Sequence, residues 1–65
     1  MSGTITTIQD CGTIVIVFLD TGEKISPIYF DHRCFGHLLE AEGCDPSGLI
    51  GRPVTYENEA IYFED

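Results

Sequence analysis

Positive charge is scarce in this 65-residue sequence, which has three Lys and Arg residues against eleven Asp and Glu and a formal net charge of -8. Proteins that bind nucleic acid draw much of their affinity from Lys and Arg groups that displace counterions at phosphates, and scattered cations cannot form such a surface. Binding to an anionic membrane surface is disfavoured for the same reason. The composition therefore predicts a protein without nucleic-acid or membrane partners.

The chain also lacks a long apolar run. The longest, at residues 14–19, is far short of the roughly 20 residues that span a bilayer. No secretory signal peptide is recognisable, and three cysteines without a CxxC pair are not typical of a disulfide framework. These absences predict a cytoplasmic protein with reduced thiols.

The length leaves room for one domain, residues 1–65, with one small core. A chain this short buries only about 60% of the surface that it exposes when unfolded. We therefore expect nearly every large apolar residue to lie inside. Hydrophobic residues make up 43% of the sequence, which is enough for an ordered domain.

The first half of the chain predicts three strands, at residues 4–9, 13–19 and 24–30. The second is apolar on both faces, as a central strand would be. Gly22, in the turn after it, is placed for the left-handed backbone of a tight hairpin. Pro27 has no N–H to donate to a ladder, so the third strand is predicted to lie at an edge or to contain a bulge.

A helix of roughly ten residues is predicted after the third strand, with Asp31 as its N-cap and Gly43 as its C-terminal stop. The apolar residues that recur at helical spacing are Cys34, Phe35, Leu38 and Leu39. Gly36, inside the helix, costs about 1 kcal/mol relative to Ala.

The last third of the chain predicts a loop at residues 43–48 and two more strands. The fourth strand is assigned to residues 49–56, with a bulge or edge marked by Gly51 and Pro53. A tight turn at residues 57–59 leads into the fifth strand, residues 60–64.

The predicted fold is mainly β with one helix, in the order β-β-β-α-β-β. Long exposed sheet edges promote aggregation, so five short strands are expected to curl into a small barrel plugged by the helix. This order resembles the OB fold, a partly open five-stranded barrel with a helix between its third and fourth strands. The resemblance is topological and covers the whole chain, and an SH3-like barrel with an inserted helix is the alternative.

The OB resemblance would imply a nucleic-acid platform of aromatic and basic residues on the second and third strands. Phe18, Tyr29 and Phe30 supply the aromatic rings, but Lys24 is the one cation near them. We therefore predict that these rings belong to the core.

The densest group of metal-ligating residues is His32, Cys34 and His37, with Cys44 beyond the helix. A zinc site needs four converging ligands, whereas His32 and Cys34 are two residues apart and would point to different sides of a helix. The alternative places Cys34 in the core and the histidines on the exposed helix face or beside carboxylates. Both alternatives stay open, and no cofactor is predicted.

The same segment gives little support for catalysis. A nucleophilic Cys34 with His37 as its base would lack a third orienting group and a recognisable oxyanion hole. Glu57 and Glu59 lie in a predicted exposed turn, where carboxylates stay solvated. We therefore predict that the protein is not an enzyme.

Small size and acidic surplus together predict a protein-interaction module with an acidic surface. Its partner would be a basic protein or a second copy of the chain, bound through a strand edge and an acidic rim. The predicted partner-binding residues are Glu57, Glu59, Glu64 and Asp65. The alternative is an inhibitor that mimics nucleic acid by presenting carboxylates at phosphate-like spacing to a basic groove.

Overall fold

A computed structural model describes residues 1–64 and shows five antiparallel strands and one helix. The strands are β1 Ser2–Asp10, β2 Ile14–Asp20, β3 Ile25–Asp31, β4 Pro53–Glu57 and β5 Ala60–Phe63. The helix, α1, spans His32–Glu42, and a short 3-10 helix covers Pro46–Leu49. The prediction of a mainly β chain with one helix between the third and fourth strands is confirmed.

The strands are hydrogen-bonded in the order β3-β2-β1-β4-β5, so β3 and β5 are the two edges and do not pair with each other. The sheet is therefore not closed, and neither the OB-like nor the SH3-like form of the predicted barrel is confirmed. Closure would need a ladder between β3 and β5. Pro27 has no N–H for that ladder, and β5 is only four residues long.

β1 pairs with two neighbours and bends between them. Residues 2–4 pair with β4 and residues 4–10 pair with β2, with a register shift between Ile5 and Thr7 in the β1–β2 ladder. Such an irregularity bends a strand and increases its twist. A bulge is also present at Gly51, as predicted: Gly51, with φ 89°, donates its N–H to the carbonyl of Ile5 at 2.7 Å, and the N–H of Ile5 donates to the carbonyl of Arg52 at 3.1 Å.

The core lies on one side of the sheet only. Inward-facing residues of the strands meet Phe35 from α1 and Leu49 from the 3-10 helix. The buried residues are Ile5, Val15, Val17, Leu19, Ile28, Phe35, Leu49 and Val54. One helix and one 3-10 turn therefore cover one face of the sheet.

Both predicted helix caps are confirmed. The Asp31 carboxylate accepts a hydrogen bond from the backbone N–H of Cys34 at 2.7 Å. Gly43 has φ 66°, and its N–H donates to the carbonyls of Leu39 and Glu40. Within residues 1–64, no helix is long and apolar enough to cross a membrane.

The prediction that a strand begins at Leu49 is wrong. Leu49 ends the 3-10 helix, and Gly51 has φ 89° in the turn that precedes β4. The Asp45 carboxylate accepts hydrogen bonds from the N–H of Gly48 and the hydroxyl of Ser47, which fixes the helical turn. Leu49 is apolar because it fills the core, not because it belongs to a ladder.

The two predicted tight turns are present. Gly22 follows β2 with φ 94°, and Asn58 and Glu59 have φ 50° and 63° between β4 and β5. Two successive residues of positive φ are typical of a type I′ turn, which matches the twist of the strands it joins.

Several large apolar residues expected in the core lie on the surface instead. Tyr29 is 63% exposed, Ile25 57% and Ile14 43%. Cys34 is also exposed, so the alternative that placed it in the core is wrong. The expectation of near-complete burial fails because the chain covers only one face of its sheet.

Two glycines are expected to respond in opposite ways to substitution by Ala. A Cβ on Gly36 would meet nothing within 4 Å, whereas a Cβ on Gly3 would lie 2.6 Å from the backbone oxygen of Asp20. Gly36→Ala should therefore raise the free energy of unfolding by about 1 kcal/mol, and Gly3→Ala should lower it by about 1–3 kcal/mol. Urea unfolding followed by circular dichroism measures both, and equal effects would contradict the close approach of β1 to β2.

Leu49 and Ile50 provide a second matched pair, because Leu49 is 0% exposed and Ile50 is 44% exposed. Leu49→Ala should lower the free energy of unfolding by about 2–5 kcal/mol, through lost burial and the cavity left behind. Ile50→Ala should change it by less than about 1 kcal/mol. The same unfolding measurement applies, and a larger loss for Ile50→Ala than for Leu49→Ala would contradict the burial of Leu49 in the core.

Candidate functional site

The two free edges of the sheet border one cleft of about 480 Å³. β3 and α1 form one side of it, and the β4–β5 hairpin forms the other. The residues that line it are Tyr29, Phe30, Asp31, Cys34, His37, Leu38, Tyr56, Glu59, Ala60 and Ile61. We call this site the edge cleft, and its volume lies in the range of known ligand pockets.

Aromatic contacts span the gap that the open sheet leaves. The ring of Phe30, on β3, lies 6.4 Å from the ring of Tyr56, on β4, in an edge-to-face arrangement. Phe30 also lies 6.4 Å from Phe35 of α1, centroid to centroid. Such pairs stabilise beyond the area they bury. The cleft therefore has an aromatic base anchored to the core.

The β3 side of the cleft carries backbone groups that β2 does not use. The N–H of Thr21 donates to the carbonyl of Lys24 at 3.0 Å, which sets the phase of the β2–β3 ladder. Because bonded and non-bonded pairs alternate in an antiparallel ladder, Ile16 and Tyr29, which lie opposite each other, form a non-bonded pair. The N–H and C=O of Tyr29 therefore point away from β2, towards the free edge.

The same reasoning applies to β5. The N–H of Glu64 donates to the carbonyl of Pro53 at 3.1 Å, which sets the phase of the β4–β5 ladder. Ile61 lies opposite Tyr56 in a pair of the non-bonded kind. The N–H and C=O of Ile61 therefore point to the other free edge, so both sides of the cleft present backbone donors and acceptors.

The ionisable groups in the cleft favour a cationic occupant. The carboxylates of Asp31 and Glu59 line it, and none of the lining residues among 1–64 is Lys or Arg. His37 also lines it, with Nδ1 4.0 Å from a carboxylate oxygen of Glu40. A Lys or Arg side chain entering the cleft would meet negative charge.

Cys34 lies in the cleft but is poorly placed to be a nucleophile. Its Sγ lies 3.6 Å from Oδ2 of Asp31. This hydrogen bond, together with the negative charge of Asp31, raises the pKa of the thiol. In turn, the backbone N–H of Cys34 holds the pKa of Asp31 below its usual value. The arrangement favours the protonated thiol, whereas a reactive cysteine needs the thiolate.

The four candidate metal ligands do not come together. His32 turns towards β1, where its Nε2 lies 3.1 Å from both carboxylate oxygens of Asp10. The N–H of Gly12 and then His32 lower the pKa of that carboxyl. Cys44 packs against the core. Among residues 1–64, no three His, Cys, Asp or Glu side chains are grouped as a metal site requires.

The predicted partner-binding acids lie in different places. Glu59 lines the edge cleft, and Glu57 lies at the end of β4 without lining it. Glu64, beyond the other end of β5, accepts a hydrogen bond from the hydroxyl of Thr55 and lines a separate groove with Asp20. Asp65 lies outside the described residues. Their role in binding a partner stays a prediction.

Sequence reasoning missed most of the cleft. Asp31 was recognised only as a helix cap, and Tyr29 and Phe30 only as core residues. One usable signal was Pro27, which indicated that β3 could be an edge strand. Residues beside Pro27 could therefore have been expected to contact a partner.

Fold and site together define a small antiparallel β domain with one helix and an open, acidic cleft between its sheet edges. Comparisons with protein-family models, with curated proteins and with solved structures found no match to this chain. Its function is therefore inferred from the geometry of the cleft.

The contact between Asp31 and Cys34 predicts the effect of Asp31→Asn on thiol reactivity. Asn also caps helices well, so α1 should persist, while the loss of the negative charge should lower the pKa of Cys34. Alkylation of Cys34 by iodoacetamide near pH 8, followed by peptide mass spectrometry, should then become several times faster.

Asp10→Asn is the matched control, since Asp10 contacts His32 and not Cys34. Its Cys34 should react at the rate of the unmodified chain. Equal rates in Asp31→Asn and Asp10→Asn would show that Asp31 does not govern the thiol.

Proposed function

We propose that this chain is a non-enzymatic protein-interaction module that binds an extended, basic segment of a partner protein in the edge cleft. The observation that carries the proposal is that Tyr29 and Ile61 line the same cleft and both direct backbone N–H and C=O groups to free sheet edges. Strand addition uses such groups for affinity, while pockets beside the edge select side chains.

The charge of the chain supports a basic partner. The formal net charge is -8, and Asp31 and Glu59 are carboxylates of the cleft itself. Complementary charge accelerates encounter and discriminates among partners, and its effect is screened by salt. The expected occupant is a segment that alternates apolar side chains, for the aromatic base, with Lys or Arg.

The fold supports a structural role for that segment. A strand inserted between β3 and β5 would pair with both edges and so close the sheet. We therefore propose that the β-β-β-α-β-β chain is an OB-like barrel open at one seam, with an SH3-like arrangement as the alternative.

Mimicry of nucleic acid remains the second proposal for the acidic surface. A mimic acts through the spacing of its carboxylates and does not need the backbone of an edge strand. The two proposals therefore differ in their dependence on the N–H of Tyr29.

The first proposal is tested with a fluorescein-labelled peptide of alternating Lys and Val, titrated against the full chain by fluorescence anisotropy. Tyr29→Pro removes the outward N–H without removing a bond to β2, and should weaken binding by about tenfold or more. Tyr29→Thr removes the same ring but keeps the N–H, so it should bind more tightly than Tyr29→Pro.

Three controls separate backbone pairing from general attraction. A peptide with Glu in place of Lys should not bind. Glu59→Gln should weaken binding of the Lys–Val peptide and reduce the salt dependence of that binding. Duplex DNA that competes with the chain for its basic partner would favour mimicry. Equal affinities for Tyr29→Pro and Tyr29→Thr would reject strand addition, and absence of binding to the Lys–Val peptide would reject the cleft as its site.

A further inference from the structure

The two sheet edges that border the edge cleft run in the same direction. Every ladder among residues 1–64 is antiparallel, and the successive reversals across the order β3-β2-β1-β4-β5 leave β3 and β5 parallel to each other. A single strand between them is therefore either antiparallel to both edges or parallel to both. A hairpin contains two strands of opposite direction, so it would meet one of the edges in parallel.

The two directions differ in the number of occupant residues that they need. Tyr29 and Ile61 line the same cleft, and each directs its N–H and C=O to a free edge. In a bonded antiparallel pair, two opposite residues exchange both hydrogen bonds, so a pair of consecutive occupant residues satisfies both edge residues. In a parallel ladder, each edge residue bonds to the residues before and after the one opposite, so the same groups require about four occupant residues.

Both edges leave little length for a ladder. Pro27, close before Tyr29, has no N–H, and α1 begins directly after Asp31. On the other side, the backbone turns at Asn58 and Glu59, just before the four residues of β5. Short edges favour the direction that uses the fewest occupant residues. Antiparallel pairing is also slightly more stable per residue than parallel pairing.

We infer that the occupant of the edge cleft is a single strand that runs antiparallel to both β3 and β5. This inference rests on the proposed function, because it specifies the direction of the segment that the cleft binds. The completed sheet is then antiparallel at every ladder, a uniformity that is over-represented among natural sheets. A partner supplies one extended segment, and a hairpin does not fit.

The same direction assigns the side chains of the occupant. Residues that form a bonded antiparallel pair place their side chains on the same face of the sheet. Tyr29 is 63% exposed and shares the outward side of β3 with Asp31. Ile61 packs against the core, as do Phe30 and Tyr56. Occupant residues bonded to β3 therefore carry the basic side chains, and those bonded to β5 carry the apolar ones.

The test is paramagnetic broadening of the backbone amides of the full chain by a nitroxide on the bound Lys–Val peptide. A peptide of about six residues, similar in length to β3, carries the nitroxide at its N-terminus, and a matched peptide carries it at its C-terminus. Asp31 and Ile25, at the two ends of β3, lie about 20 Å apart at a rise of about 3.3 Å per residue. Because broadening falls steeply with distance, nitrogen–proton correlation spectra distinguish the two ends.

An antiparallel strand begins where β3 ends. The N-terminal nitroxide should therefore broaden the amide of Asp31 about threefold or more strongly than that of Ile25, and the C-terminal nitroxide should do the reverse. Phe63 and Ala60, at the two ends of β5, should respond in the same way as Asp31 and Ile25. Spectra recorded after ascorbate has reduced the nitroxide give the unbroadened reference.

The direction of the strand and the existence of binding have separate readouts. Stronger broadening of Ile25 by the N-terminal nitroxide, or equal broadening of Ile25 and Asp31 by each peptide, would overturn the inference and leave the proposed function standing. Absence of broadening at either end, together with unchanged fluorescence anisotropy, would overturn the proposed function and the inference with it. Tyr29→Pro should lose most of the broadening by both peptides, whereas Tyr29→Thr should keep its pattern.

Discussion

The packing of Phe35 and Leu49 against the inward-facing residues of β2 is the contact on which the rest of this structure depends. Residues 1–64 form one helix and one 3-10 turn, and both lie on the same face of the sheet. The packing of both elements on this face buries Val15, Val17 and Leu19 almost completely. The opposite face of the same strand is apolar too but lies outside the core, with Ile14 exposed and Ile16 and Phe18 half-buried. The proposed binding site therefore lies on a surface that the core does not use.

The start of α1 links the fold to the chemistry of the cleft. Asp31 is the last residue of β3 and the N-cap of the helix, so its carboxylate lies where the edge strand turns into the helix. The same carboxylate accepts hydrogen bonds from the backbone and the thiol of Cys34. One side chain thus begins the helix, adds negative charge to the edge cleft and keeps a neighbouring thiol protonated. These contacts support the proposed recognition of a cationic segment.

Charge distinguishes two regions of the surface. The edge cleft combines backbone groups with carboxylates, whereas the outward side of β2 and β3 carries apolar side chains between Asp20 and Asp31. Tyr29 belongs to both, because its backbone points to the free edge of β3 while its position shares the outward parity of that strand. Arg52 links α1 to β5, since it pairs with Glu42 of α1 at 3.1 Å and lies over the ring of Phe63 in β5.

Short-range signals in the sequence determined the strands, the helix and their caps. Asp31, Gly43 and Gly22 act through backbone geometry and hydrogen bonds within a few residues, and Pro27 excludes a ladder bond wherever its strand lies. Tertiary structure alone decided whether β3 meets β5, which face of β3 turns inward, and that Leu49 fills the core from a 3-10 turn. Both parities of β2 and β3 carry apolar residues, so their pattern could not choose a face. The placement of α1 determined which face is buried, because burial depends on contacts between residues far apart in the chain.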